Sequence, residues 1–544
     1  MIQCWLTDSL HRVFPQSAFE DRRELRLALL RGERGSFQMV CRTAGDSAAI
    51  EASVEVPDGV NISVRRVGYV PMAHFTTDVP ESDLDALGYL PGLVPDPLFP
   101  ESMVNAGPFE TNSFWVSVEI DPAAEPGEHH LTAIFANAER DIDRLKIALT
   151  IHAPLLPERR NFPVSNWFYA NAIVDWYQVD FLSEPFWTIL DPYLGNLAAH
   201  GQDTIYVPLF TPPLDGEKRP TQLLGVARDG DRYTFDWSAV KRWLNASKAA
   251  GLYAFEWTHL FSQWGAAYAL NIYQGHGEDN LLLWESMTGA TSATYFHFLS
   301  QFLPAFGRFL NDEGVIESSF FHLSDEPHGE QDLANYRAAR ELLRELAPWM
   351  TIMDALSDVA YAREGLADMP IAQIEKYPAF AAERIPAWAY FCCMPRGRHL
   401  NRFLDTPLVK VRMTGWLLYR LGAVGFLHWG YNSWYRSQTT ELIDPFLVSD
   451  AHRWPRWSYG DPFIVYPGPE GPIDSVRWEV FAESLQDYAL LQAAGISRDD
   501  PLLAEIIDFA AFPRDPDWIA DRREKLIGRL VNVTNRCETP SISQ

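Results

Sequence analysis

Val315-Ile316-Glu317-Ser318-Ser319-Phe320-Phe321-His322-Leu323-Ser324-Asp325-Glu326-Pro327 is an apolar run that gives way to two adjacent acids, a proline and then a helical pattern. A strand running into a loop and a helix reads this way. In an α/β barrel the C-terminal end of a strand is where catalytic groups are placed. Adjacent carboxylates repel, which favours one protonated and one ionised group near neutral pH. An acid beside an anion suits cleavage of a glycosidic bond. Asp, Glu and Pro are also ordinary turn residues, so the tetrapeptide alone leaves a plain surface turn open.

Outward from this stretch, strands alternate with helices. Strands are expected at Pro163–Tyr169, Thr204–Phe210, Ala254–Leu260, Ile316–Leu323, Thr351–Ala355, Ile371–Ile374, Ala387–Phe391 and Gly425–Trp429. Helical patterns fall between many of them, at Phe186–Ala199, Ser238–Ala250, Thr294–Asn311 and Asp332–Leu346. About eight βα units point to a TIM-type barrel, with the thinnest helical pattern around residues 351–375. Before Pro154-Leu155-Leu156-Pro157 the pattern is different. Ser36–Cys41, Val60–Val64, Phe114–Ile120 and Leu145–Ile151 are short β-branched runs separated by turns, as in a sandwich. The Pro-, Asp- and Gly-rich stretch from about Asp78 to Gly107 reads as a long excursion from it. After about residue 475 the chain looks helical, with a charged last helix near Trp518–Leu530. The expected fold is multidomain α and β: a β-sandwich over 1–155, a (β/α)8 barrel over 160–490 and a helical extension over 491–544.

Composition narrows the function. At 544 residues the chain exceeds the roughly 250–300 at which single cores stop growing, so several domains are expected. A net charge of −27 repels phosphate backbones and anionic lipid, which argues against nucleic-acid and membrane partners. The five cysteines, Cys4, Cys41, Cys392, Cys393 and Cys537, form neither a disulfide framework nor a metal pattern, so no metal or cofactor is expected. The start lacks a basic n-region followed by a long apolar stretch, and no apolar run approaches a membrane span, so a cytoplasmic location is expected. Nineteen tryptophans stand out, since Trp offers a flat apolar platform with one N–H donor.

The expected strand ends collect acids, amides and aromatics: Trp167 on the first, Glu256 and His259 on the third, and Asp325-Glu326 on the fourth. The sixth ends in Glu375-Lys376-Tyr377, the seventh carries Trp388 and Tyr390, and the eighth runs through His428-Trp429-Gly430-Tyr431-Asn432-Ser433-Trp434. This coincidence raises the catalytic reading of Asp325 and Glu326 above that of a turn. Singly, His259 and His428 read better as core histidines, and Trp167 and Trp388 suit a barrel interior as well as a binding wall.

Ser324-Asp325-Glu326-Pro327, Asn401-Arg402-Phe403-Leu404-Asp405, Val411-Arg412 and Gly425 through Trp434 together resemble glycoside hydrolase family 123 and its wider, uncharacterised relatives. Gly460-Asp461-Pro462-Phe463-Ile464-Val465-Tyr466-Pro467, Asp474-Ser475-Val476-Arg477-Trp478-Glu479 and Asp487-Tyr488 fit the same pattern, as do Pro95-Asp96-Pro97-Leu98 and Glu125-Pro126-Gly127-Glu128 in the β-rich start. The resemblance covers about residues 160–490. It implies a retaining β-N-acetylhexosaminidase, N-acetylgalactosaminidase-like, whose substrate supplies its own 2-acetamido nucleophile. By the same resemblance Asp325 orients the acetamido group and Glu326 is the general acid/base. Trp167, Tyr377, Tyr390, His428, Trp429, Asn432, Trp434 and Arg477 are candidate substrate-binding residues, with Arg477 equally suited to a structural ion pair with Glu479 or Asp487. An oligosaccharide or glycoside is the expected partner. Two alternatives stay open: a glycosidase for another sugar with Glu256, Glu375 or Glu479 as nucleophile or base, and a non-catalytic carbohydrate-binding barrel.

Overall fold

Residues 2–214 and 218–538 are described by the computed structural model, without the side chains of 532–538, among them Cys537. Residues 539–544 of the expected extension lie outside that range. Ten strands make up the N-terminal part: β1 (Ile2–Asp8), β2 (Glu24–Arg31), β3 (Arg34–Thr43), β4 (Ala48–Glu55), β5 (Val60–Met72), β6 (Gly92–Phe99), β7 (Met103–Ala106), β8 (Thr111–Ile120), β9 (Gly127–Ala136) and β10 (Asp141–Leu155). They form two five-stranded sheets, in the orders β1-β3-β8-β5-β6 and β2-β10-β9-β4-β7. Alternation does the packing. Phe114, Val116 and Val118 of β8 join Phe37, Met39, Leu131, Phe135 and Ile147 in the core shared by the two sheets. Trp115, on the opposite face, belongs to the core shared with the rest of the chain. The first sheet is thus covered on both sides.

The stretch from Asp78 to Gly107 is more than an excursion. It supplies β6 and β7, one edge strand of each sheet. Pro95 and Pro97 mask β6 in the sequence, yet an edge strand tolerates proline because it needs fewer ladder donors. β6 also meets the second half of the chain: Leu98 N–H donates to the Asp474 carbonyl at 2.8 Å.

Beyond Leu155 come β11 (Val164–Asn166), β12 (Thr204–Val207), the hairpin β13 (Gly225–Asp229) and β14 (Arg232–Asp236), and β15 (Ala254–Trp257). They are followed by β16 (Ser319–Phe321), β17 (Met353–Leu356), β18 (Met369–Gln373), β19 (Trp388–Tyr390) and β20 (Phe426–His428). Apart from the hairpin they pair in parallel and are largely buried, as strands covered by crossover helices are. The helices Glu184–Ala199, Ala293–Asp312 and Val476–Ala493 begin at Ser183, Ser292 and Ser475, whose hydroxyls accept the N–H three residues on. In the thin region the helix Val359–Arg363 is only five residues long.

The expectation of a (β/α)8 barrel is met in part. The eight strands form a five-stranded sheet, β11-β20-β19-β18-β17, and a three-stranded one, β12-β15-β16, instead of one continuous ring. At one seam the Asp203 and Gln202 side chains accept the backbone N–H groups of Val164 and Asn166, each at 2.8 Å. At the other, Phe321 meets Ile352 in a single parallel bridge. Strands of three to five residues leave little length for full ladders. Ile316–Ser318, read as strand, is a turn of 3-10 helix. The C-terminal helix Pro516–Glu538 closes the molecule, with Arg523 bridging Asp487 and Glu33. Among the described residues no helix is long and apolar enough to cross a membrane.

The two halves are joined by a buried ion pair. Arg477 Nε and Nη2 each donate to Asp96 of β6 at 2.9 Å, and both side chains are fully buried. Arg477 also donates to the carbonyls of Arg402 and Gly460, and Tyr466 OH donates to Asp96. Breaking such a pair from one side leaves an uncompensated buried charge. Asp96→Ala should cost about 3–5 kcal/mol of stability, read as a lower urea midpoint. A loss below about 1 kcal/mol would show that the pair does not hold the halves together.

Candidate active site

Asp325 and Glu326 lie just past the end of β16, on the turn into the helix Gly329–Leu346. Asp325 is buried, and its Oδ2 accepts from Gln263 Nε2 at 2.8 Å. Its carbonyl accepts from Trp264 N–H at 2.9 Å. Ser324 Oγ clamps the same loop, accepting from the N–H groups of Gly265 and Ala266 and donating to the Ser262 carbonyl. Glu326 is partly exposed and accepts from Tyr390 OH at 2.6 Å. Burial, with the nearby Glu326 charge, pushes the Tyr390 phenol well above its usual range, so it remains a donor. The two acids therefore have different partners, an amide on one and a phenol on the other.

The pair opens into a cleft of about 160 Å³. Trp167, Trp264, Trp429 and Trp457 line it with Tyr390, Gln263, Gln438, Cys392 and Cys393. Trp429 and Trp457 lie 5.0 Å apart between ring centroids, and Trp264 is 49% exposed. Aromatic faces set around hydrogen-bonding groups suit a ring that is apolar on its faces and hydroxylated at its rim.

Beneath the cleft sits a buried polar network. Glu256 accepts from Trp167 Nε1 and Ser165 Oγ, both at 2.5 Å, and its Oε1 is 2.6 Å from His322 Nε2. His322 Nδ1 is 3.0 Å from Asp354 Oδ1. Asp354 in turn accepts from the Leu323 and Ser324 N–H groups and from Tyr336 OH. Burial disfavours charge on His322, but the hydrogen bonds and charges of Asp354 and Glu256 outweigh it and raise its pKa to about 10. His259 stacks on that ring at 4.2 Å, and burial together with the His322 charge holds it neutral. His259, His322 and Asp354 come close enough together to hold a metal ion, as do His200, Asp474 and Glu479. Both ring nitrogens of His322 are already engaged by carboxylates, and those of His200 by Glu479 and the Asn196 carbonyl. Neither group is arranged as a metal site.

Of the residues expected to bind substrate, Trp167, Tyr390 and Trp429 line the cleft with the acid pair. The other five lie elsewhere. Tyr377 opens a short helix and meets Phe509 edge-on at 5.5 Å. His428 is fully buried and accepts from Gly430 N–H; burial, with Arg402 and Arg477 nearby, keeps it neutral. Asn432 pairs with the backbone of Tyr169, and Trp434 donates to the Val465 carbonyl. Arg477 is structural, with Asp96 as its partner instead of Glu479 or Asp487. The alternative carboxylates are also placed apart from the cleft lining. Glu256 is engaged by three donors, Glu375 is exposed beside Lys376, and Glu479 is buried against Arg65. Gln263, Trp264, Gln438, Trp457 and the two cysteines are cleft residues not anticipated. Ser262-Gln263-Trp264-Gly265 follows the third strand closely and carries the same polar–aromatic signature as the other strand ends.

An acid pair at a strand end, in a cleft walled by tryptophan, is an arrangement that suits glycoside hydrolysis. The catalytic domain of glycoside hydrolase family 123 matches residues 167–494, more than half of the chain, and the protein belongs to that family. A family 123 glycoside hydrolase from Clostridium perfringens superposes with a TM-score of 0.73 over 98% of this chain and 98% of that one, at 13% identity, a likeness of fold. A family 39 glycoside hydrolase from Bacteroides cellulosilyticus WH2 reaches a TM-score of 0.33 at 9% identity over 85% and 81% of the chains, too slight to bear on the fold. A search of curated proteins found no match.

His322 has a measurable consequence. Its folded pKa of about 10 lies above the ordinary histidine value of 6.5. The stability it contributes is therefore complete below about pH 6.5 and is lost as the pH rises through about 10. Between those limits the urea midpoint of the wild type should fall relative to that of His322→Gln, which lacks this titration. Parallel profiles would mean that His322 is not charged in the folded protein.

Proposed function

We propose that this glycosidase is a retaining β-N-acetylhexosaminidase working by substrate-assisted catalysis. The parallel strands are taken as a (β/α)8 barrel opened at two seams, within a chain of three units, 1–155, 160–490 and 491–544. Asp325 orients the 2-acetamido group and stabilises the positive charge that develops as its oxygen attacks the anomeric carbon. Glu326 protonates the departing glycosidic oxygen and then takes a proton from the incoming water. Tyr390 holds Glu326, and Gln263 holds Asp325. Trp167 and Trp429 stack on the sugar.

One observation carries this reading: the only carboxylates among the described residues that line the cleft are the adjacent pair. A protein nucleophile would need a second carboxylate about 5–5.5 Å from the acid across the sugar. Glu256, which holds the cleft-lining Trp167, is already engaged by His322, Trp167 and Ser165. The Clostridium perfringens family 123 enzyme is described in terms of glycolipid glycan hydrolysis, so glycolipid glycans belong in the substrate screen. The cysteines at Cys4, Cys41, Cys392 and Cys393 are free, which is in keeping with a reducing, cytoplasmic setting.

Nitrophenyl glycosides of N-acetylgalactosamine, N-acetylglucosamine and plain hexoses test the proposal. The N-acetyl sugars should be cleaved, and an N-acetyl-thiazoline analogue should inhibit. Glu326→Gln should lower kcat by about 10²–10⁴, with the larger loss on alkyl or sugar leaving groups that need protonation. Asp325→Asn should lower kcat on all of them. Cleavage of plain hexosides alone would rule out the acetamido nucleophile. Sugar binding that persists without turnover would leave a carbohydrate-binding protein.

A further inference from the structure

The strand that ends at Tyr390 continues through Phe391 into Cys392 and Cys393, and both cysteines line the cleft together with Glu326. Their sulfurs are 3.9 Å apart, and both residues are partly exposed. Nothing in glycoside hydrolysis calls for a thiol in this position. We propose that Cys392 and Cys393 are a reversible modification site in the cleft wall, a dithiol that closes to an intrachain disulfide by exchange with a small disulfide of the glutathione class.

Proximity and access set this pair apart from the other thiols. Cys4 and Cys41 also face one another, across β1 and β3, but both are buried in the sandwich. Burial pushes the Cys41 thiol up to about 12, and Cys4 higher still. Thiol–disulfide exchange needs a thiolate that a soluble disulfide can reach, so this second pair is protected. At the cleft, the Cys392 S–H is directed to the Met394 carbonyl at 3.7 Å, and its pKa is raised first by the hydrogen bond to Cys393 and then by burial. With the Cys392 S–H engaged by that carbonyl, Cys393 is assigned as the attacking sulfur and Cys392 as the resolving one.

The exchange balances. The Cys393 thiolate attacks one sulfur of the small disulfide and expels one glutathione thiolate, leaving a mixed disulfide. Cys392 then gives up its proton, attacks the Cys393 sulfur and expels the second glutathione thiolate. Two protein thiols become one S–S bond, and one glutathione disulfide becomes two glutathiones. The sulfurs must approach by about 1.9 Å to reach bonding distance of about 2.05 Å. Neighbouring Cα atoms stand about 3.8 Å apart, below the usual disulfide span of about 4.4–6.8 Å. The closed ring is strained and therefore readily reduced, which is the character of a regulatory disulfide. Closure would disturb the segment that carries Tyr390, the hydrogen-bond donor to Glu326.

Glutathione disulfide added to the full-length protein is the direct test, read by intact mass under denaturing conditions and by mapping the peptide 385–396. The expected product is about 2 Da lighter, with the bond inside that peptide, and it reverts with dithiothreitol. Cys393→Ser should not show the 2 Da loss, and Cys392→Ser should stop at the mixed disulfide, heavier by one glutathione. The effect on turnover rests on the hydrolase reading, whereas the mass change does not. Closure should lower nitrophenyl glycoside hydrolysis at least fivefold, reversibly. Unchanged mass, or a bond mapped to Cys4–Cys41, overturns the proposal. If the unoxidised enzyme cleaves no glycoside, the functional reading fails while the mass still decides the dithiol.

Discussion

A histidinium held between two carboxylates underlies the cleft that holds the acid pair. Glu256, His322 and Asp354 have no exposed surface, and their chain of hydrogen bonds crosses β15, the end of β16 and β17. Desolvating three ionisable groups costs several kcal/mol each, and only close pairing offsets it. That requirement fixes the spacing of the strands beneath the cleft. It also reaches upward. Glu256 holds the indole of Trp167, and Asp354 holds the backbone of Leu323 and Ser324, the two residues before the acid pair. A change of charge at His322 would therefore be felt at the cleft wall and at the root of the Asp325-Glu326 turn together.

The sandwich is part of the same construction. Asp96 enters the second half of the chain from β6 and receives Arg477, which also ties down the loops at Arg402, Gly460 and Phe463. Arg65 of β5 reaches Asp474 and Glu479 in the same way. Several of the C-terminal motif residues thus serve the joint between the halves, while the cleft is assembled from shorter pieces at the strand ends. This division explains why a family signature can be dense at residues 460–490 although the acid pair that opens into the cleft lies at 325 and 326.

Period and punctuation made much of the fold legible. Each of the eight expected strands from Pro163 to Trp429 overlaps one of the observed parallel strands, six of them enclosing it, because short buried apolar and aromatic runs bounded by turns have few other readings. β6 was hidden, because Pro95 and Pro97 mimic a loop and an edge strand is where proline is tolerated. The site was legible by half. Trp167, Tyr390 and Trp429 face the cleft, whereas His428, Asn432 and Trp434, a few residues away on one run, are buried in hydrogen bonds to backbone. Aromatic and amide side chains serve core and pocket alike, and a linear pattern does not say which face a loop residue takes. Arg477 illustrates the same limit: its charge was evident, but its partner lay 381 residues away in β6.

Adjacency of the two acids poses a geometric problem that the backbone solves. In extended chain, successive side chains leave on opposite faces, so neighbours cannot serve one cleft. The alternation has to break between them. Glu326 sits in the left-handed region, at φ +40°, and in the facing loop Trp264 and Ala266 do so at +58° and +55°. Non-glycine residues there cost about 1–3 kcal/mol each and persist only where their surroundings over-determine them. Ser324, with its three hydrogen bonds to the facing loop, and Tyr390, bonded to Glu326, supply that determination. The strain that lets two neighbouring carboxylates share a cleft is thus held by the same contacts that give them different partners.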